Sequence, residues 1–170
     1  VVLIAEIVDL LDSTIVNVAG PTLAEKLHAS STDLQWVIGG YALALGSGLI
    51  LGGRLGDRFG GRNMFIFGLA GFTLASLLCA IAPSVGLLIL FRFIQGFLGA
   101  MLLPQGFGLI RETFPPQEFG KAFAAYGPAF GLGGILGPII GGFIIQANIL
   151  DLGWRAVFLV NLPIGVAAVI

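Results

Sequence analysis

Long apolar runs separated by short polar connections make up almost the whole chain. Windows of about 20 residues with few charges, the length that crosses a bilayer as a helix, fall at residues 1–19, 34–53, 64–82, 85–110, 122–145 and 156–170. The pattern predicts an all-α membrane protein of six spans, the last cut short. A β-barrel is excluded, because barrel strands alternate with period two over about 10 residues and these runs are continuous and longer. Spans 1 to 3 and 4 to 6 read as two copies of a three-helix unit, an arrangement common in transporters.

The connections carry an orientation signal. Arg54, Arg58, Arg62, Arg111 and Lys121 lie in the second and fourth connections, whereas the others hold only Lys26 and Arg155. The positive-inside rule then predicts a cytoplasmic amino terminus in a multi-pass protein of the plasma membrane. Trp36 and Trp154 fall at outer ends of spans, where an interfacial aromatic belt would anchor them.

Composition agrees with the pattern. With 57% hydrophobic and 10% charged residues, there are too few charges to wet the surface of a water-soluble globule of this size. The bilayer is the first expected partner. No basic tract points to nucleic acid, and Cys79, the only cysteine, reads as a small core residue. His28, the only histidine, sits in a connection, which leaves no metal site or cofactor to expect inside the membrane. The chain begins at Val1 with no signal-peptide pattern, and its start is read as a truncation.

Three carboxylates interrupt the first span: Glu6, Asp9 and Asp12. Each would cost about 2.5 to 3.5 kcal/mol at the centre of a lipid-facing helix. At about 100° per residue from Asp12, Asp9 lies near 60°, Ser13 near 100°, Glu6 near 120° and Asn17 near 140°, with Ile4, Val8, Leu11, Ile15 and Val18 opposite. One polar arc therefore lines a water-filled or protein-filled cavity. In the fourth span Arg92, Gln95, Gly96, Gly99 and Gly106 likewise share a face.

Asp12 and Arg92 each lie eight residues from an outer connection, about 12 Å deep at about 1.5 Å per residue, so they can meet. Movement of Asp12 relative to the guanidinium would let it take up and release a proton. The alternative is a static buried pair that sets helix register. Glu6, Asp9, Asn17 and Gln95 are assigned to the cavity lining, Glu6 and Asp9 near its inner mouth.

The fifth span adds a third feature, G-G-I-L-G-P-I-I-G-G from Gly133 to Gly142. Five glycines and a proline in ten residues suit a bilayer, where neighbouring helices satisfy what Pro138 frees. Gly133, Gly137 and Gly141 repeat at a spacing of four and leave a strip free of side chains for another helix. Packing alone would account for it.

These residues together resemble the amino-terminal half of a major facilitator superfamily transporter, most closely the drug:proton antiporter branch with fourteen spans. L-D-S-T-I-V-N-V-A-G-P from Leu11 resembles the first-span motif, with Asp12 at its aspartate and Gly20 replacing the usual apolar residue. G-R-L-G-D-R-F-G-G-R from Gly53 resembles the loop motif between spans 2 and 3, with Gly61 in place of a basic residue. L-I-L-F-R-F-I-Q-G from Leu88 resembles the fourth-span motif and places its arginine at Arg92. G-x-x-x-G-P-x-x-G-G from Gly133 resembles the antiporter motif, and W-R-A-V-F-L-V-N-L-P-I-G from Trp154 the entry to span 6.

The resemblance implies proton-driven efflux of a small amphipathic substrate by alternating access, with proton coupling at Asp12 and Arg92. It implies an inner gate at Gly53, Asp57, Arg58, Gly60 and Arg62, Asp57 latching onto the missing carboxy-terminal half. The proton gradient would be the energy source and no cofactor would be needed. Arg58 and Arg62 are expected to pair with Glu112 or Glu118, and Asp57 to sit near a helix N-terminus. The set Gly133, Gly137, Pro138, Gly141 and Gly142 is expected to face the missing half. The loop charges by themselves also fit ordinary positive-inside bias. An uptake symporter is the alternative within transporters, and an intramembrane enzyme a remote one, since no nucleophile and base lie together in a span.

Overall fold

The computed structural model of the chain describes residues 2–148 and 152–169. The first residue of span 1, the tip of the last connection and the final residue of span 6 lie outside the described residues. Helices run over Val2–Leu27 (α1), Ser31–Phe59 (α2), Gly61–Ala80 (α3), Val85–Gly99 (α4), Leu102–Thr113 (α5), Phe119–Ala124 (α6), Tyr126–Ala147 (α7), Ala156–Leu159 (α8) and Asn161–Val169 (α9). No strand occurs among the described residues. α4 and α5 together form the fourth span, α7 the fifth, and α8 with α9 the sixth. Ser31–Phe59, Gly61–Ala80, Val85–Thr113 and Pro116–Ala147 are long and apolar enough to cross a membrane. Large apolar side chains such as Ile50, Ile135 and Phe143 point outward, as lipid-facing positions do.

Helix ends differ from the hydropathy windows because propensity continues past the apolar segment. α1 runs on to Leu27 through Pro21, as the T-L-A-E-K-L segment holds good helix formers. His28 closes it in the left-handed region at φ 51. α2 starts at Ser31, earlier than residue 34, because Ser30 and Asp33 form a capping box. The Ser30 hydroxyl accepts from the Asp33 amide at 3.2 Å, and the Asp33 carboxylate accepts from the Ser30 amide at 2.9 Å. Ser30→Ala should weaken this first turn by about 1 kcal/mol. Faster amide hydrogen exchange confined to residues 31–35 would register the loss, and unchanged exchange would contradict it.

Two glycine contacts set the helix arrangement. On α7, Gly133, Gly137 and Gly141 are buried against α1: a Cβ at Gly133 would lie 2.9 Å from Leu10, one at Gly137 would run into Thr14, and one at Gly141 would lie 2.6 Å from Ile15. This corrects the expectation that the strip meets the missing half. It is consumed by packing within this chain, because only a side-chain-free surface lets α1 and α7 close up. Gly134 and Gly142 meet nothing within 4 Å, and Pro138 is exposed.

The second contact lies between α2 and the fourth span. Gly40, Gly48, Gly52 and Gly56 face Phe93, Ala100 and Gln105. Pro104 has no N–H to offer the Ala100 carbonyl, so the fourth span breaks between Gly99 and Leu102. At Gly52 a Cβ would lie 2.6 Å from that freed Ala100 oxygen, and Gln105 Nε2 donates to the Gly52 carbonyl at 2.7 Å. Span 5 on span 1 thus mirrors span 2 on span 4, while spans 3 and 6 pack on each other through α3 and α9. The mirrored contacts are those expected of two related three-helix units.

An apolar cluster holds Ile15, Val16, Leu23, Leu88, Trp154 and Phe158. Trp154 is only 1% exposed, which corrects its reading as an interfacial anchor. The 3₁₀ turn Gly153–Arg155 folds the ring into the bundle, with the Arg155 guanidinium 4.5 Å above it and bonded to the Ala82 carbonyl at 3.3 Å. Trp36 is 49% exposed and stacks on Phe93 at 6.2 Å.

Candidate functional site: a buried polar network on the first and fourth spans

Asp12 and Arg92 meet as an ion pair, each 0% exposed. Among the described residues this is the ion pair the fold makes. Both oxygens of the Asp12 carboxylate are bonded: Oδ2 accepts from Arg92 Nη1, and Oδ1 accepts from Gln95 Nε2 at 3.0 Å and Asn161 Nδ2 at 2.5 Å. Arg92 Nη1 also donates to Gln95 Oε1 at 2.7 Å, and Nε donates to the Val37 carbonyl at 3.2 Å. The guanidinium stands 4.1 Å over the Tyr41 ring. Arg92 Nη2 is buried without a hydrogen-bond partner, so the pair is held through Nη1, Nε and the Tyr41 ring, the close bonding a buried charge pair needs to offset desolvation.

A second layer holds the first in place. Ser76 accepts from Gln95 at 2.7 Å and from Asn161 at 3.2 Å, and donates to the Phe72 carbonyl at 3.0 Å. The Cys79 thiol donates to Gln95 Oε1 at 3.6 Å. Spans 1, 2, 3, 4 and 6 each contribute at least one polar group, so the network ties most of the bundle to one point. Tyr41, Ser76 and Asn161 escaped the sequence reading. Their signal was a lone polar group within an apolar run, which periodicity does not separate from an inert one.

Down α1 from Asp12, Asp9 accepts a bond from the Tyr41 hydroxyl. Glu6 lies a turn further, with both carboxylate oxygens buried and unpartnered. Asp9 is 7% and Glu6 3% exposed. With Gln95 they are therefore enclosed by their own bundle and do not line an open cavity, because Gly99 and Gly106 let the fourth span press against them: a Cβ at either would lie 2.6 Å from a carboxylate oxygen. Asn17, at the other end of the arc, is exposed and bonds back to the Ser13 and Thr14 carbonyls at 3.2 and 3.3 Å.

The loop-motif residues cluster at the far end of α2. Gly60 turns the chain at φ 91, a conformation that suits glycine. Gly53, Asp57 and Gly60 share a cleft with Pro104, Gln105 and Glu112. Asp57 lies in the last turn of α2, where its own helix dipole does not favour a carboxylate, and shares its cleft with Gly61 at the start of α3. Arg58, Arg62, Glu112 and Glu118 are all exposed and make no ion pair among the described residues. Arg58 instead lies 5.4 Å over the Phe59 ring. Exposed pairs gain little against side-chain entropy.

Bilayer-length helices packed through glycine and joined by a sealed charge network define a polytopic membrane protein of the solute-transporter class. The sequence model of the Major Facilitator Superfamily matches residues 2–170, and the chain belongs to that family. It is 52% identical over its full length to a probable actinorhodin transporter of Streptomyces coelicolor, covering 29% of that protein. Over 94% of the chain it is 44% identical to a tetracenomycin C resistance and export protein of Streptomyces glaucescens, again covering 29% of it. A multidrug resistance protein B homolog of Mycobacterium tuberculosis is 40% identical over the full chain, which spans 31% of its length. The chain thus spans about a third of the curated relatives it matches, and the family is one of transporters, not enzymes.

Proposed function

We propose that this chain is the amino-terminal half of a proton-coupled efflux antiporter that exports a small amphipathic molecule by alternating access. The observation that carries the reading is the Asp12 carboxylate, wholly buried yet bonded to Arg92, Gln95 and Asn161. An intramembrane carboxylate of this kind is costly and usually functional. Protonation would remove its charge and loosen Arg92, and substrate would compete with that protonated state. Asp57, Arg58 and the glycines around them would form the inner gate with a carboxy-terminal half. The amino terminus would be cytoplasmic and the membrane that of the cell surface. The relatives' names, which speak of export and resistance, support the outward direction over uptake.

The test uses the full-length transporter in liposomes under an imposed pH gradient, with puromycin and tetracenomycin C as first probes, since relatives are named for them. Asp12→Asn should abolish gradient-driven movement and leave downhill exchange. A substituted protein that stays fully coupled to the gradient would remove Asp12 from the mechanism.

A further inference from the structure

Three carboxyls on α1 face three different environments on the fourth span. Asp12 meets Arg92 and Gln95, Asp9 meets the open face of Gly99, and Glu6 meets Gly106. The two segments run antiparallel, so the order 12, 9, 6 matches 92 to 95, 99, 106. Successive carboxyls are three residues apart, neighbours on a helix surface at about 5 to 6 Å between Cβ atoms. Glycine at 99 and 106 is what makes room for the two inner acids.

The bonding of the two end members is opposite. Asp12 has donors on both oxygens, Arg92 on Oδ2 and Gln95 with Asn161 on Oδ1, so a proton joining Oδ1 would displace one of them. Glu6 has none: both oxygens are buried without a partner, and the Tyr126 hydroxyl beside it, which lies 3.4 Å from where a Gly106 Cβ would stand, is also unpartnered. The titratable groups acting on Glu6 are Asp9 on its own helix and Tyr126 on α7; those acting on Asp9 are Tyr41, Asp12 and Arg92. No cation faces Glu6 among the described residues. An isolated carboxylate in such a place neutralises instead of remaining charged.

We propose that Glu6 is a second proton-carrying site, joined to Asp12 through Asp9 and Tyr41, so that the contact of α1 with α4 and α5 is the inward leg of the proton route. The proposal rests on the proton-coupled reading above. A proton arriving at Asp12 leaves when that carboxyl's O–H bond breaks and Asp9 gains it, with the Tyr41 hydroxyl turning as its bond to Asp9 is given up. Glu6, which holds a proton at rest, first releases it to water at the inner face, and Asp9 then passes its proton to the emptied Glu6 carboxylate. One proton crosses and each carboxyl returns to its starting form. The arrangement seen here, with Asp12 bonded to Arg92, Gln95 and Asn161 and Glu6 without a partner, is the state after the proton has left Asp12.

Infrared difference spectroscopy of the full-length protein in liposomes reads Glu6 without any substrate. A protonated-carboxyl C=O band at neutral pH should be present in the wild type and in Asp12→Asn, lost in Glu6→Gln, and retained in Glu6→Asp. In gradient-driven efflux of whichever probe the Asp12 test establishes, Glu6→Gln should slow transport by about 100-fold, the low end for removing a positioned proton-transfer group, while downhill exchange persists. No band assignable to Glu6, or Glu6→Gln efflux as fast as wild type, would overturn the proposal. Coupling that survives Asp12→Asn while the Glu6 band is present would instead sink the proton reading of Asp12 and, with it, the route. Glu6→Asp, which keeps the acid, separates loss of the proton site from loss of fold.

Discussion

Replacing Arg92 with leucine is expected to destabilise the folded bundle by about 3 to 5 kcal/mol, the range for breaking one side of a buried ion pair. The cause is what remains behind. Asp12 would keep its Gln95 and Asn161 donors but lose its counter-charge in a site closed to water, and the Val37 carbonyl would lose a donor. Arg92→Lys should rescue little, since an ammonium cannot bond in one plane to Asp12, Gln95 and the Val37 carbonyl while lying flat on Tyr41. The double substitution Asp12→Asn with Arg92→Leu should recover much of the loss, because no charge is stranded. Thermal unfolding of the full-length protein in detergent, run on both singles and the double, measures this. Additive losses would show that the pair has no energetic coupling.

The second large effect is expected at Gly96. A Cβ there would press on the Tyr41 carbonyl, with the Tyr41 carbonyl carbon at 3.0 Å and its Cα at 3.1 Å. These neighbours are backbone and cannot rotate away. Gly96→Val should therefore reach the upper end of the overpacking range, about 3 kcal/mol, by forcing the fourth span off α2. The same displacement would carry Arg92 from Asp12 and Tyr41 from Asp9. Gly86→Ala is the control, since nothing lies within 4 Å of that position. It should be neutral or slightly stabilising, as alanine favours a helix over glycine by about 1 kcal/mol. If both variants unfolded at the same temperature, close approach of α2 would not be what Gly96 provides.

Much was legible before any coordinates. Continuous apolar runs of bilayer length declare a helical membrane protein, because a backbone amide in lipid has no other way to be satisfied than a helix or closed barrel. The three acids of the first span and Arg92 stand out for the same reason: a charge in lipid is costly, so those groups must turn inward. Equal depth within their spans allows Asp12 to meet Arg92, because helix rise is constant, and the fold pairs them.

What the sequence left open was which surfaces meet. The strip Gly133, Gly137, Gly141 declares close helix contact but not with whom, and only the fold seats it on Leu10, Thr14 and Ile15 of α1. The matching strip of α2 went unread because its glycines are interleaved with other small residues. Ser76 and Asn161 are silent in sequence, since a lone hydroxyl or amide in an apolar run gains its meaning from the partner opposite. Periodicity assigns a side chain to a face of its own helix. Whether that face finds a donor, a glycine or lipid is decided by neighbours distant in the chain, as Asp12, bonded on both oxygens, and Glu6, six residues before it and bare, show on one helix.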